Sequence, residues 1–118
     1  MNHQPIDPNA IPLLFKRKEF VAIVDGINAY LDTQPHTEKP HPNWYGWLAL
    51  CYYLTSDFRN AIANYKVVLR LDPDAVPANT NLAHIRSCCP DPTFHNASEG
   101  IKHARHACHV SKLSLIHI

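Results

Sequence analysis

Apolar residues in this chain recur at helical spacing and are interrupted by clusters of Pro, Asp and other polar residues. The clearest segment is 57–71, where Phe58, Ala61, Ile62, Tyr65, Val68 and Leu69 share one face and Arg59, Asn60, Asn64 and Lys66 lie off it. Asp57 occupies an N-cap position, and Asp72-Pro73 stops the helix because a proline disfavours helical backbone in the residue before it. Residues 44–55 form a second periodic segment with Tyr45, Leu48, Ala49 and Tyr52 on one face. Only Ser56-Asp57 separates the two, so the pattern predicts an antiparallel hairpin.

The same frame recurs along the chain. Phe58, Ala61, Tyr65, Val68 and Pro73, moved back 38 residues, become Phe20, Ile23, Ile27, Tyr30 and Pro35. Ala61, Tyr65, Val68 and Leu71, moved forward 39, become Gly100, Ala104, Ala107 and Val110, while Leu48-Ala49 moved 34 becomes Leu82-Ala83. The predicted fold is therefore all-α, about three antiparallel hairpins in tandem forming an α-α superhelix. The expected boundaries are a disordered start at 1–9, a degenerate hairpin at 10–35, a second hairpin at 43–75 and a third at 76–112 with a lengthened turn. Breaker clusters at 36–42 and 89–93 separate or lengthen these units, and Asn96 with Glu99 forms a capping-box pattern before the last helix, expected over about 96–110.

The middle unit, Tyr45-x-x-Leu48-Ala49-x-x-Tyr52, then Ala61-x-x-x-Tyr65 and Pro73, resembles the tetratricopeptide repeat (TPR). Tyr stands for Trp, Ala for Gly and Tyr for Phe. The first unit (Ala10, Ile11, Leu14, Phe15) lacks the Leu-Gly signature. The third has Asn79 in the aromatic slot, and its long turn is similar to a variant common in bacterial members. The resemblance covers about residues 10–112.

It implies binding through a surface. Stacked hairpins leave a concave groove lined by the first helix of each pair. The matching positions are Asn43, Gly46, Leu50, Tyr53, Leu54, Thr80 and His84, and their largely apolar character suits a peptide or partner segment that is apolar or extended. The Lys and Asn set by which the family's chaperone-binding branch grips a terminal carboxylate is not found here. The expected function is a protein-interaction scaffold, or else an accessory repeat region of a larger enzymatic or signalling protein.

Composition changes this picture little. Apolar residues make up 46% and charged ones 18%, with a net charge of +1, so the chain has a globular and not a disordered balance. No basic stripe is visible along the chain, so neither nucleic acid nor a membrane surface is expected as partner. No apolar run approaches the ~20 residues of a membrane span. The polar, Pro-containing start is unlike a signal peptide, which makes the cytoplasm the default and leaves the four cysteines as thiols.

Candidate chemistry is sparse. His84 and Cys88 stand i, i+4, Cys89 is adjacent, and His103, His106 and His109 recur every three residues, but no C-x-x-C or H-E-x-x-H pattern is present. The histidines are expected to be solvated, and neither a metal nor a cofactor is expected. Cys51 is expected to be a small buried hydrophobe, and no thiol has an evident activating base, so no catalytic residue is assigned and an enzyme is not expected. Asn96-Ala97-Ser98 fits a glycosylation acceptor but reads as a helix cap. Tyr45 and Tyr52 are expected in the core, whereas Trp44, Trp47 and Tyr53 are candidates for exposure.

Residues 113–118 fit no part of the repeat and resemble a translated sequencing adapter, so they are expected to be a non-native tail. The chain would then be a fragment whose last hairpin lacks a capping helix. It would expose Ile101, Ala104 and Cys108, with self-association as a consequence.

Overall fold

Caps and hard stops divide the described residues of the computed structural model, which are 6–34, 41–88 and 91–116 with side chains as far as Val110, into six helices. They are α1 (Ile11–Lys16), α2 (Phe20–Asp32), α3 (Pro42–Leu54), α4 (Phe58–Leu71), α5 (Val76–Cys88) and α6 (Ala97–Ile116). No strand occurs among the described residues, and none of their helices is long and apolar enough to cross a membrane. The clusters at 35–40 and 89–90, which carry part of the expected breaker segments and Cys89, lie outside the described residues.

Local chemistry sets the helix ends. Asp57 accepts from the Asn60 N–H at 3.4 Å, and Asn96 accepts from the Glu99 N–H at 3.1 Å while its side-chain amide donates to the Glu99 carboxylate at 3.2 Å, a capping pair in which the return bond runs between side chains. The first two hairpins share a turn. Lys18 and Ser56 both adopt left-handed backbone, with φ of 59° and 64°. At each, the residue after it donates to a carbonyl five residues back: Glu19 to Leu14 at 3.0 Å and Asp57 to Tyr52 at 2.8 Å. The left-handed residues themselves donate to Phe15 at 3.0 Å and to Tyr53 at 3.1 Å. This is the Schellman arrangement twice over, and Ser56 follows Lys18 at the same 38-residue step as the apolar frame.

Neighbouring helices run antiparallel. A Cβ built on Gly46, early in α3, would lie 4.0 Å from Val68 Cγ2, late in α4. Gly100, early in α6, sits against Ser87, late in α5, while Asp74, just before α5, meets His106. Each helix packs against the next in sequence. Two apolar clusters result. Ile11, Ile23, Ile27, Trp44, Leu48 and Cys51 join α1, α2 and α3; Ala49, Ala61, Ile62, Tyr65, Val68, Ala78, Leu82 and Ile85 join α3, α4 and α5. Helix α3 therefore buries two faces, with Tyr45 and Tyr52 half-buried where the clusters meet.

Several expectations need correction. Trp44 is not exposed. It stacks on Tyr30 with centroids 4.1 Å apart, and Trp47 meets it edge-on at 5.2 Å. Residues 6–10, expected in a disordered start, are seated on the fold: Ile6 packs on Gly26 and donates to its carbonyl at 3.1 Å, and Asp7 caps a turn of 3-10 helix at Pro8–Ala10. Helix α6 continues to Ile116, into the segment expected to be a non-native tail. The repeat frame is followed by Ile23, Ile27, Leu82, Gly100 and Ala107, all buried, while Ile101, Ala104 and Cys108 are exposed as expected.

Candidate binding groove

Helices α3 and α5 present their free faces to one groove because both pack against α4 from the same side. Pro42 and the His41 ring, which accepts from the Asn43 N–H at 3.1 Å, fix where α3 starts. Asn43, Gly46, Trp47 and Leu50 then fall on one face at steps of three and four. With Pro77, Ala78 and Asn81 of α5 they line a cleft of about 560 Å³, floored by Tyr65 and Val68.

Three of the expected binding positions, Asn43, Gly46 and Leu50, therefore come together. Tyr53 and His84 form a separate pair one to two turns further along. The Tyr53 hydroxyl is 2.6 Å from His84 Nδ1, their rings meet edge-on at 5.9 Å, and Tyr53 also rests on Phe58. This contact bridges α3 to α5 directly. Leu54 is 49% exposed and Thr80 is exposed, and neither lines the cleft.

Pattern reasoning picked out Trp47 as a candidate for exposure, but it missed Asn81 and the acidic end of the groove. Asn81 donates to the Tyr65 hydroxyl at 2.8 Å, which leaves its carbonyl oxygen as the group that an incoming donor would meet. Its position was readable, since it stands one residue beyond Thr80 and one turn before His84. Asp72 and Asp74 line the same cleft, although in the sequence they act only as a helix stop. Burial pushes the Tyr65 phenol up to about 12, so this floor stays neutral at ordinary pH.

A second polar centre lies between α5 and α6. Glu99 is ion-paired with Arg86, Nε at 3.1 Å, and Lys66, Nζ at 3.7 Å, with His103 Nε2 at 3.9 Å. Arg86 also ties the connection down, donating to the Phe94 carbonyl at 3.1 Å while its own carbonyl accepts from the Asn96 N–H at 2.8 Å. His103 and His106 are thus engaged side chains rather than freely solvated ones, because α5 supplies partners that the α6 sequence cannot reveal. No group of His, Cys, Asp and Glu suited to a metal occurs among the described residues. Burial pushes the Cys51 thiol up to about 12, and Cys88 and Cys108 are exposed.

No family model, curated protein or solved structure matches this chain.

Proposed function

We propose that the chain is a TPR-type interaction scaffold that holds an extended partner segment in the groove between α3 and α5. The observation that carries this reading is the convergence of Asn43, Leu50 and Asn81 on one open cleft between α3 and α5. An extended peptide has backbone donors and acceptors at a regular pitch and side chains alternating in direction. Carboxamides such as Asn43 and Asn81 offer both a donor and an acceptor to such a backbone, and Trp47 and Leu50 offer apolar contact beside them. The acidic end at Asp72 and Asp74 favours a basic residue or a free amino group on the segment.

Panning a random peptide library against the chain tests the reading. Enriched sequences should be extended and apolar with a basic residue, and Leu50→Asp or Asn81→Ala should weaken their binding at least about tenfold. Val21→Asp, on an exposed position far from the groove, should leave binding unchanged. Peptides that bind all variants equally would place recognition elsewhere.

A further inference from the structure

We infer that the channel between α4 and α6 is a second docking surface that takes an acidic peptide segment carrying an apolar side chain. This inference does not depend on the groove between α3 and α5. Two adjoining depressions of about 710 and 550 Å³ share Leu69, Lys102 and His103 and form one trough along the two helices. Lys66 and Arg70 stand one turn apart on α4, and Lys102 and Arg105 stand about one turn apart on α6. All four are exposed.

The chain as a whole carries a net charge of only +1, and its basic residues are scattered in sequence. The fold concentrates four fixed cations on one trough by packing both α4 and α6 against α5. The carboxylate nearest them, Glu99, pairs with Arg86 at 3.1 Å and also with Lys66 at 3.7 Å, so Lys66 is partly neutralised while Arg70, Lys102 and Arg105 form no ion pair among the described residues. The trough therefore presents an excess of positive charge to a ligand. Cations on both walls match an anionic chain passing between them.

The floor distinguishes a peptide from a nucleic acid. Leu69, Pro73 and Ile101 line it, and Ile101 is 52% exposed. No Phe, Tyr or Trp lines either depression, so bases have no ring on which to stack, whereas a leucine or similar side chain has a matching apolar surface. A peptide with acidic residues on both sides of one apolar residue satisfies walls and floor together.

Fluorescence anisotropy on the full chain tests this with three labelled probes: a peptide with one leucine flanked on both sides by glutamates, the same peptide with glutamines, and an oligothymidylate of equal charge. The glutamate peptide should bind with an affinity that falls as salt is raised. The glutamine peptide should bind at least about tenfold more weakly, as should the glutamate peptide to a Lys102→Glu/Arg105→Glu variant. Both substituted positions are exposed, and an unchanged far-ultraviolet spectrum would show the variant folded. Leu50→Asp, in the other groove, should bind the glutamate peptide as the parent does. Tighter binding of the oligothymidylate would identify a nucleic-acid surface instead. Absence of glutamate-peptide binding, or equal binding by the charge-reversed variant, would overturn the inference.

Discussion

Nδ1 of His103 lies 3.0 Å from Oδ1 of Asn79, a side chain only 2% exposed. The Asn79 amide nitrogen donates to the Pro73 carbonyl at 3.1 Å and the Ala75 carbonyl at 3.2 Å, which fixes the carboxamide and leaves its oxygen toward the histidine. His103 must therefore carry its proton on Nδ1 when neutral. Taking a second proton on Nε2 is disfavoured chiefly by burial, which outweighs the attraction of Glu99, and Lys102, Lys66 and Arg86 oppose it further.

A pH dependence follows. The folded His103 has a pKa below its ordinary value of 6.5, so the unfolded chain binds the proton first as the solution is acidified. Stability is fully present above about pH 6.5 and declines as pH falls below it, until the folded form protonates as well. His103→Asn keeps a donor near the position of Nδ1 but cannot titrate. Urea midpoints measured from about pH 7.5 down to about pH 5.5 should fall more for the parent than for this variant. The His106–Asp74 pair is common to both proteins and cancels in the comparison. Identical slopes would show that His103 contributes nothing to the pH dependence.

A Cβ on Gly26 would approach Ile6 Cβ to 2.7 Å, closer than packed carbons allow, but would lie 3.4 Å from Ile6 Cα. Alanine gains about 1 kcal/mol over glycine inside a helix, so Gly26→Ala would be stabilising if the N-terminal segment were not seated on it. In an Ile6→Gly background the substitution should recover roughly that amount. In the parent it should be neutral or destabilising, because the segment must lift off. A double-mutant cycle by chemical denaturation checks this, and additive effects would mean that Ile6 does not rest on Gly26 in solution.

Ala61 is fully buried where α4 meets α3 and α5, and its counterpart in the last hairpin is Gly100, against Ser87. Small side chains at both places let the helices approach closely. Ala61→Leu has no space to enter and should cost roughly 1–3 kcal/mol. Gly100→Ala meets only the rotatable Ser87 hydroxyl at close range, with the Ala83 carbonyl and Arg86 Cβ at ordinary 3.5 Å contact, so it should be tolerated. An Ala61→Leu midpoint equal to the parent's would place the α4 faces wrongly.

How far the sequence revealed all this depended on whether a feature was local. The periods, caps and stops of α3 and α4 were readable because each depends on residues within a few positions of one another. Asp57, Asn96 and Pro73 act as their chemistry requires. Trp44 was misplaced because its burial comes from Tyr30, across the inter-hairpin connection, and no periodicity within α3 encodes that partner. For the same reason His103 and His106 looked like surface residues until α5 and the turn before it supplied Asn79 and Asp74. In the groove, Asn43 and Leu50 were legible from the repeat frame of α3. The trough of Lys66, Arg70, Lys102 and Arg105 was not, because it is the packing of both α4 and α6 against α5 that brings those charges together.

The cysteines differ in environment, and their reactivity should divide accordingly. Cys51 is fully buried against Ile23 and Ile27 and its neighbours, and desolvation pushes its thiol up to about 12, so almost no thiolate exists at neutral pH. Cys88 and Cys108 are exposed. A thiol-specific reagent at neutral pH should label Cys88 and Cys108 promptly, and Cys51 only on addition of denaturant, with sites assigned by mass spectrometry of digested protein. Prompt native-state labelling of Cys51 would mean that the α2–α3 cluster opens readily.

Lys18 and Ser56 both hold left-handed backbone at the position after a helix where glycine is ordinarily favoured. A side chain in that conformation brings Cβ against the following carbonyl and costs about 1 kcal/mol or somewhat more. The two Schellman hydrogen bonds at each turn, and the capping of α4 by Asp57, hold the strained residue in place. Glycine would remove the strain but add freedom to the unfolded chain, which offsets part of the gain. Lys18→Gly and Ser56→Gly should each therefore raise stability by a few tenths to about 1 kcal/mol. The two sites lie in separate hairpins and share no contact, so the double variant should show the sum. Thermal or urea denaturation of the single and double variants measures this directly. Destabilisation by glycine at both positions would show that the turns are not left-handed, and with that the recurrence of one turn at the 38-residue step would lose its support.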